Sequence, residues 1–267
     1  MPYGARWRAI RRIMHGILNK GNGAVFGGYQ EEASRVLVKE VLERPGEWWA
    51  ANQRFANGVI MGVVFGKGVG GSRGGEAKNG GEKSNVEKLF DTSQEFIAAL
   101  QPGANLVDTF YFLDKLPRPL KWWTRRGDEA FRRLLDVYGA EVRDLKERVA
   151  RGECPPCFAT KFLDDPESEK LGETQRLFAL GSLMEAGSDT SRMTLSQIIA
   201  AAATDPRWVQ NAQDEMDRVC GWAERLPALS DRPSLPYMSA VAKEGFRWRP
   251  FAEIGGNLCI ILSENLR

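Results

Sequence analysis

The sequence is poor in histidine and cysteine, with one His and four Cys among 267 residues. So few cysteines indicate neither a disulfide scaffold nor a zinc array. A Ser-His-Asp triad would have to use His15, and no nucleophile elbow accompanies it in the sequence. These scarcities argue against the disulfide-rich, zinc-array and serine-hydrolase classes.

Long apolar runs are also missing from the sequence. No uninterrupted apolar segment approaches the roughly 20 residues that span a bilayer. The first residues, MPYGARWRAIRRIMHG, lack the apolar centre of a signal peptide. From the sequence alone we therefore expect a chain without a membrane anchor, either soluble or peripheral.

Neither sign of charge is in marked excess, since 37 Lys and Arg stand against 35 Asp and Glu, a formal net charge of +2. Without an overall basic excess to neutralise phosphates, we expect no nucleic acid as an obligate partner. Hydrophobic residues make up 43% of the chain, including 8 Trp and 13 Phe. That share predicts a substantial packed core.

Apolar residues recur at helical spacing along most of the chain, and strand signals are scarce, the one candidate being 258–262. The sequence therefore predicts a mainly α protein. The Gly-rich stretch 66–84 predicts a flexible loop within it. A basic amphipathic helix is predicted first, over 5–19. Further helices are predicted over 30–42, 48–65, 85–100, 122–151, 173–203, 206–220 and 237–248, with a short segment around 158–163. Asp205 is predicted as the N-cap, and Pro206 as the first residue, of the helix that follows the long one.

The stretch LMEAGSDTSRMTL, 183–195, places poor helix formers inside a long predicted helix. The flanking apolar positions keep helical phase through it, which favours a helix over a loop. Gly187 either lets a ligand approach the backbone or is a packing contact, and Asp189 either serves chemistry or faces water. The hydroxyl of Thr190 can bond a carbonyl one turn back.

Several shorter patterns have competing interpretations. The segment GKGVGG, 66–71, matches a dinucleotide loop but lacks the strand before it and the helix after it. CPPC, from Cys154 to Cys157, suggests a redox or half-zinc motif. Without a second pair or a nearby histidine, a plain loop is favoured. Trp7 and Arg11 can both donate to one anionic group or form a surface stack.

The order and spacing of three motifs resemble the cytochrome P450 family. These are Trp-x-x-x-Arg on the basic helix, A-G-S-D-T-S in the long helix, and E-x-x-R before Pro250. The basic helix is similar to the family's C helix, 173–203 to its I helix, RWVQNAQDEMDRV to its J helix, and 237–248 to its K helix. The resemblance implies a partial cytochrome P450 fold, from the C helix through the K helix, in one incomplete domain over 1–267.

The resemblance implies a haem cofactor and assigns residues to it. Trp7 and Arg11 would hydrogen-bond a haem propionate. Ala186 and Gly187 would line the groove over the distal face of the haem, where the family binds dioxygen.

It also implies two roles for charged and hydroxyl groups. Asp189 and Thr190 would relay protons to the dioxygen. Glu244 and Arg247 would form a buried structural ion pair on the haem side of the core.

The family's axial cysteine lies in a loop of the type F-x-x-G-x-R-x-C-x-G, well beyond E-x-x-R. This sequence reaches Arg267 without such a loop. Cys259 lies too close to the K-like helix, and the other cysteines precede it, so no cysteine is assigned as the metal ligand. The ending NLCIILSENLR departs from the family's style, and we expect a truncated or mis-spliced product.

The resemblance implies a haem-dependent monooxygenase that inserts one oxygen atom of O2 into an apolar small molecule, with electrons from NADPH-cytochrome P450 reductase. The alternative is a catalytically inactive helical remnant that does not bind haem, and the missing thiolate favours it for this chain. An intact member would belong to the endoplasmic reticulum membrane. Without an anchor, this chain is expected in the cytoplasm.

Overall fold

The computed structural model describes residues 4–19, 23–68, 107, 110–222 and 224–250. Within these residues the regular structure is helical and includes no strand. Four short 3-10 turns accompany the α-helices: Pro45–Glu47, Tyr111–Lys115, Arg118–Leu120 and Leu229–Ser234. The α-helices are α1 Ala5–Leu18, α2 Gly23–Glu43, α3 Trp48–Phe65, α4 Trp122–Ala150, α5 Phe158–Leu163, α6 Pro166–Glu169, α7 Glu173–Thr204, α8 Arg207–Cys220 and α9 Pro236–Trp248.

The mainly α prediction is confirmed, and most helix ends agree within a residue or two. The exception is α2, which begins at Gly23 instead of residue 30. Gly27 and Gly28 are poor helix formers, but burial of Phe26 and packing of Tyr29 against Gly62 hold the helix together there. The predicted helix 85–100, the candidate strand 258–262 and all but the start of the loop 66–84 lie outside the described residues.

Asp205 was predicted to cap the helix that follows the long one. In the structure α8 begins at Arg207, so Pro206 occupies the cap position, one residue later than predicted. Asp205 Oδ1 still accepts a hydrogen bond from the backbone N–H of Arg207 at 3.2 Å. The Arg207 guanidinium also donates to both carboxylate oxygens at 2.7 Å. Hydrogen bonds from the Arg207 side chain and backbone lower the pKa of Asp205 to about 2. The turn between α7 and α8 is therefore fixed by local polar contacts.

The hydrophobic core lies where α1, α3, α4, α5 and α7 converge. Its largest fully buried apolar side chains come from α3, α4, α5 and α7 and stand in mutual contact: Met61, Phe65, Tyr138, Leu145, Phe158, Phe162, Leu180 and Met184. The helix α7 runs through this core, so its residues are positioned by packing from several sides.

Close packing joins α4 to α7. A Cβ on Gly181 would overlap the ring of Tyr138, so only a glycine allows the ring to lie there. The Tyr138 hydroxyl donates to the carboxylate of Glu185, one turn further along α7. Burial, followed by this hydrogen bond, raises the pKa of Tyr138 far above its usual range. The phenol therefore stays protonated and remains a donor.

A charged cluster joins the end of α3 to α4. Lys67 contacts the buried carboxylate of Glu141 and lies 3.1 Å from Asp144 Oδ2. Arg148 donates to Asp144 at 2.9 Å and, through Nη2, to the carbonyl oxygen of Phe65 at 2.8 Å. This last bond satisfies a carbonyl at the C-terminus of α3 that has no partner within the helix.

We predict that Gly181→Ala destabilises the chain whereas Gly127→Ala, on the exposed part of α4, stabilises it. The new methyl group at 181 meets the Tyr138 ring, and overpacking of this kind costs about 1–3 kcal/mol. The new methyl group at 127 meets nothing, and alanine is preferred to glycine in a helix by about 1 kcal/mol. Urea unfolding followed by circular dichroism measures both. Equal effects of the two substitutions would contradict the packing at Tyr138.

A second prediction concerns the acid sensitivity of the charged cluster. Burial acts to raise the pKa of Asp144, but hydrogen bonds from Lys67 and Arg148 outweigh it and hold the pKa below its ordinary value. Because the folded pKa is depressed, the contribution of Asp144 to stability is complete above about pH 5 and is lost as the pH falls below about 4. The difference in unfolding free energy between the parent chain and Asp144→Asn should therefore shrink on acidification. If the difference in unfolding free energy stays constant from pH 7 to pH 3, the prediction is wrong.

Candidate functional site

An open groove of about 570 Å³ lies between α1 and the first half of α7. It combines cationic and hydrogen-bonding side chains on one wall with mostly apolar or small side chains on the other. The α1 wall consists of Trp7, Ile10, Arg11, Met14, His15 and Leu18, and the α7 wall of Gln175, Phe178, Ala179 and Ser182. Such a groove suits a flat apolar ligand that has an anionic edge.

The structure brings Trp7 and Arg11 together on the α1 wall. The guanidinium carbon of Arg11 lies 5.2 Å from the centroid of the Trp7 ring, which is a cation–π stack. Arg11 remains exposed, and Trp7 is half-buried. Of the two alternatives for Trp7 and Arg11, the stack is present, and binding of an anion stays a prediction. Stacking on the face of the guanidinium leaves its edge directed away from the ring, where it can donate to an anion.

Ala186 and Thr190 continue the α7 wall beyond the groove. They follow Ser182 at intervals of four residues, so they lie on nearly the same face of the helix. Ala186 is exposed and Thr190 is half-buried. The Thr190 hydroxyl donates to the Ala186 carbonyl oxygen at 2.7 Å, which confirms the predicted bond one turn back.

Gly187 does not lie on this face. A Cβ placed on it would overlap the side chain of Ile60 on α3, so its lack of a side chain allows α3 and α7 to approach closely. Of the two interpretations of Gly187, the packing contact is the one found, and its place beside a ligand stays a prediction. The next residue, Ser188, donates its hydroxyl hydrogen to the side-chain oxygen of Asn57 on α3.

Asp189 is held by an arginine that the sequence analysis did not single out. Arg192 donates to Asp189 Oδ1 through Nη2 at 2.6 Å and through Nε at 3.2 Å. The Arg192 guanidinium carbon in turn lies 4.9 Å from the centroid of the Trp49 ring. The side chains of Asp189 and Arg192 are only 20% and 11% exposed, so this pair is shielded from solvent.

Asn52 makes a further polar link between α3 and α7. Its side-chain nitrogen donates to the Arg192 carbonyl oxygen at 3.1 Å and to Ser196 Oγ at 2.9 Å, and its side chain is almost completely buried. The sequence did carry a signal for this contact. Asn52 and Asn57 are polar residues on a helix predicted to be largely buried, and buried amides need hydrogen-bond partners.

Glu244 and Arg247 pair on α9, but they are not buried. Arg247 Nε donates to Glu244 Oε2 at 2.7 Å, and the two side chains are 56% and 73% exposed. The hydrogen bond from Arg247 lowers the pKa of Glu244. The expectation of burial is wrong for the described residues, because no described element covers this face of α9. Glu244 lines a second groove of about 580 Å³, between α9 and the last part of α7, separate from the Trp7–Arg11 groove.

Neither groove is lined by a cysteine of the described residues. Cys154 and Cys157 lie between α4 and α5, and Cys220 ends α8. Cys259 lies outside the described residues. Within the described part of the chain, no group of three or more His, Cys, Asp or Glu side chains could hold a metal ion.

Comparison with known proteins gives one consistent match. The family model described as cytochrome P450 matches residues 1–256. The chain is 29% identical over 255 residues to cytochrome P450 monooxygenase polD of Polytolypa hystricis, covering 95% of this chain and 47% of the relative. It is 31% identical over 258 residues to cytochrome P450 monooxygenase acuD of Aspergillus aculeatus, covering 96% of this chain and 47% of the relative.

Solved structures agree at the level of the fold. A zebrafish cytochrome P450 structure, described as one with progesterone, matches with a TM-score of 0.69 at 22% identity. The match covers 93% of this chain and 55% of that chain. The chain spans about half the length of the curated relatives it matches. None of the described helices is both long enough and apolar enough to cross a membrane.

We predict that Asp189 and Arg192 are energetically coupled and that Glu244 and Arg247, at the same spacing, are not. Both Arg192 donors bond one oxygen of Asp189, and this pair is shielded from solvent. The second pair is bidentate, but solvent screens it. Double-mutant cycles with Asp189→Asn and Arg192→Gln should give a coupling of about 1 kcal/mol in urea unfolding. The matched cycle with Glu244→Gln and Arg247→Gln should give none that is measurable. Equal coupling in the two pairs would contradict the difference in burial.

Proposed function

The chain belongs to the cytochrome P450 family, and from that premise we propose that it is part of a haem-dependent monooxygenase. The proposed reaction inserts one oxygen atom of O2 into an apolar organic substrate. The observation that carries the proposal is the groove between α1 and α7. Its α1 wall carries donors for an anionic edge, and its α7 wall is built mostly of apolar or small side chains.

The residues of this groove fit a haem at its carboxylate edge. The Arg11 guanidinium and the Trp7 indole are both donors without acceptor capacity, which suits a propionate carboxylate. Ala179, Ser182 and Ala186 present little bulk, so a flat ring can lie close to α7. When bound, the haem would supply dioxygen binding and electron transfer through its iron. No cysteine of the described residues lines the groove, so the fit covers the edge and one face only.

Asp189 and Thr190 are proposed as groups that hold and move a proton on the groove side of α7. The Thr190 hydroxyl hydrogen is directed to the Ala186 carbonyl oxygen, so its oxygen lone pairs remain able to accept a hydrogen bond from water. Arg192 bonds Asp189 through Oδ1 and fixes its position, so Oδ2 of the carboxylate is the oxygen proposed to take up a proton. Gly187 has no part in this proposal, because it packs on α3.

The partners of the complete protein follow from the same proposal. An apolar substrate is supported by Phe178 and Ala179 in the α7 wall. NADPH-cytochrome P450 reductase is proposed as the electron donor because the reaction needs electrons that no residue of this chain provides. For the complete protein, a location at the endoplasmic reticulum membrane is likewise proposed from family membership. The E-x-x-R pair keeps a structural role, which here amounts to an exposed contact along α9.

The test is binding of hemin to the chain of 267 residues, measured by the quenching of tryptophan fluorescence. We expect Arg11→Gln to weaken binding about tenfold, because a hydrogen bond to a charged group contributes about 1.5–3 kcal/mol. Arg12→Gln is the matched control, since Arg12 is on the same helix with the same charge but does not line the groove. Hemin dimethyl ester has no free carboxylate, and Arg11→Gln should not alter its affinity.

Two outcomes would overturn this assignment. If Arg11→Gln and Arg12→Gln weaken hemin binding equally, the effect is one of overall charge. If the parent chain binds neither hemin nor its ester, the haem-free helical remnant describes the chain better. If the parent chain does bind hemin, a carbon monoxide difference spectrum of the reduced, hemin-loaded chain reports whether a thiolate holds the iron.

A further inference from the structure

The connection between α4 and α5 carries two free thiols separated by two prolines, in the sequence Cys154-Pro-Pro-Cys157. We propose that Cys154 and Cys157 form a reversible dithiol–disulfide modification site, oxidised by a low-molecular-weight disulfide such as oxidised glutathione. The site lies apart from both grooves and does not depend on the haem proposal.

The two thiols differ in access but lie close together. Cys157 is completely buried, whereas Cys154 is partly exposed. Burial, the adjacent Cys157 and a hydrogen bond between the two thiols raise the pKa of Cys154, while the neighbouring Arg148 acts in the opposite direction. The hydroxyl of Tyr29 is near enough to be influenced by both. The exposure of Cys154 opens this thiol to a reagent, although its raised pKa slows the attack, and the Cys157 thiol is at hand to complete a disulfide.

The surrounding structure holds this loop in place. Arg148 Nη1 lies 3.9 Å from Cys154 Sγ, while its Nη2 bonds the Phe65 carbonyl oxygen. Gly66 has a φ of +65°, and a Cβ on it would lie 3.1 Å from the Pro155 carbonyl oxygen and 3.4 Å from Cys157 Cβ. The Cys157 thiol is also within 3.6 Å of the Thr160 hydroxyl.

A further feature favours a disulfide over an unreactive loop. The loop is packed against the ends of α3 and α4, so the thiols stay at high effective concentration. The backbone is indeed the plain loop that the sequence favours, but its thiols are arranged to react with each other.

The exchange balances in two steps. The Cys154 thiolate attacks one sulfur of oxidised glutathione, forming a mixed disulfide and releasing one glutathione thiolate, which takes up the proton that Cys154 lost. The Cys157 thiolate then attacks the Cys154 sulfur and releases the second glutathione in the same way. The two cysteines lose two electrons and two protons in all, and one glutathione disulfide becomes two thiols.

The native chain itself provides a clean measurement. Trypsin cleavage after Arg151 and Lys161 releases a peptide, 152–161, that contains both cysteines and neither Cys220 nor Cys259. The folded chain is incubated with oxidised glutathione, then unfolded in guanidinium chloride in the presence of iodoacetamide, digested and weighed by mass spectrometry. We expect the peptide to be unalkylated and lighter by two hydrogens, and to become doubly alkylated after prior reduction.

Variants separate the two steps. Cys157→Ser should stop the reaction at a stable glutathione adduct on Cys154. Cys154→Ser should leave Cys157 unmodified in the folded chain, because that thiol is buried. Cys220→Ser is the matched control and should not change oxidation of the peptide. Circular dichroism verifies that each variant keeps its helices.

Phenylarsine oxide probes the distance between the thiols without any oxidant. Its As=O group condenses with two thiols and releases water, so it bridges only thiols that can approach each other. We expect one arsenic on peptide 152–161 of the folded chain. The proposal is overturned if the peptide stays doubly alkylated or keeps a glutathione adduct in the parent chain, or if arsenic bridges the pair only after unfolding.

Discussion

The contact between α3 and α7 is the constraint on which the rest of the structure depends. It combines a position where the backbones approach closely, at Gly187 against Ile60, with polar links from Asn57 to Ser188 and from Asn52 to Ser196. Buried amides without partners would be costly, so these pairs define one register of the two helices. Because that register turns Gly187 toward α3, it turns the opposite face of α7 toward the groove. Packing against α3 thus fixes the orientation of α7 about its own axis, and the hydroxyl-bearing and small residues of α7 then face α1.

Two acid–arginine pairs of the molecule have the same spacing but differ in their exposure to solvent. Asp189 is shielded and fixed by Arg192, which in turn stacks on Trp49. Glu244 and Arg247 have the same spacing and equally direct hydrogen bonds, but they are exposed to solvent. Because solvent screens the Glu244–Arg247 pair, this pair contributes little to stability, whereas the shielded Asp189–Arg192 pair holds a carboxylate in place. Family membership makes both motifs recognisable, and their energetic roles follow from the surroundings.

Much of the fold could be predicted from local pattern, because helical periodicity and proline breaks are local properties. The helix through 183–195, the bond from Thr190 to a carbonyl one turn back and the hydrogen bond at Asp205 all follow from neighbouring residues. The start of α2 and the roles of Arg192 and Asn52 could not be predicted with the same certainty. The start of α2, the contact of Arg192 with Trp49 and the links from Asn52 depend on partners far along the chain. A single sequence does not identify those partners.

By itself, the sequence determined the helical class, the order of the motifs and the family, since these depend on residue types and their spacing. It also determined that Trp7 and Arg11 share one helix face. Only the tertiary structure decided which face of α7 meets the groove, because the choice depends on how α3 packs. It decided in the same way that Gly187 is a packing residue and that the Glu244 pair is exposed. Spacing along a helix fixes which side chains are neighbours, while burial is set by the elements that pack over them.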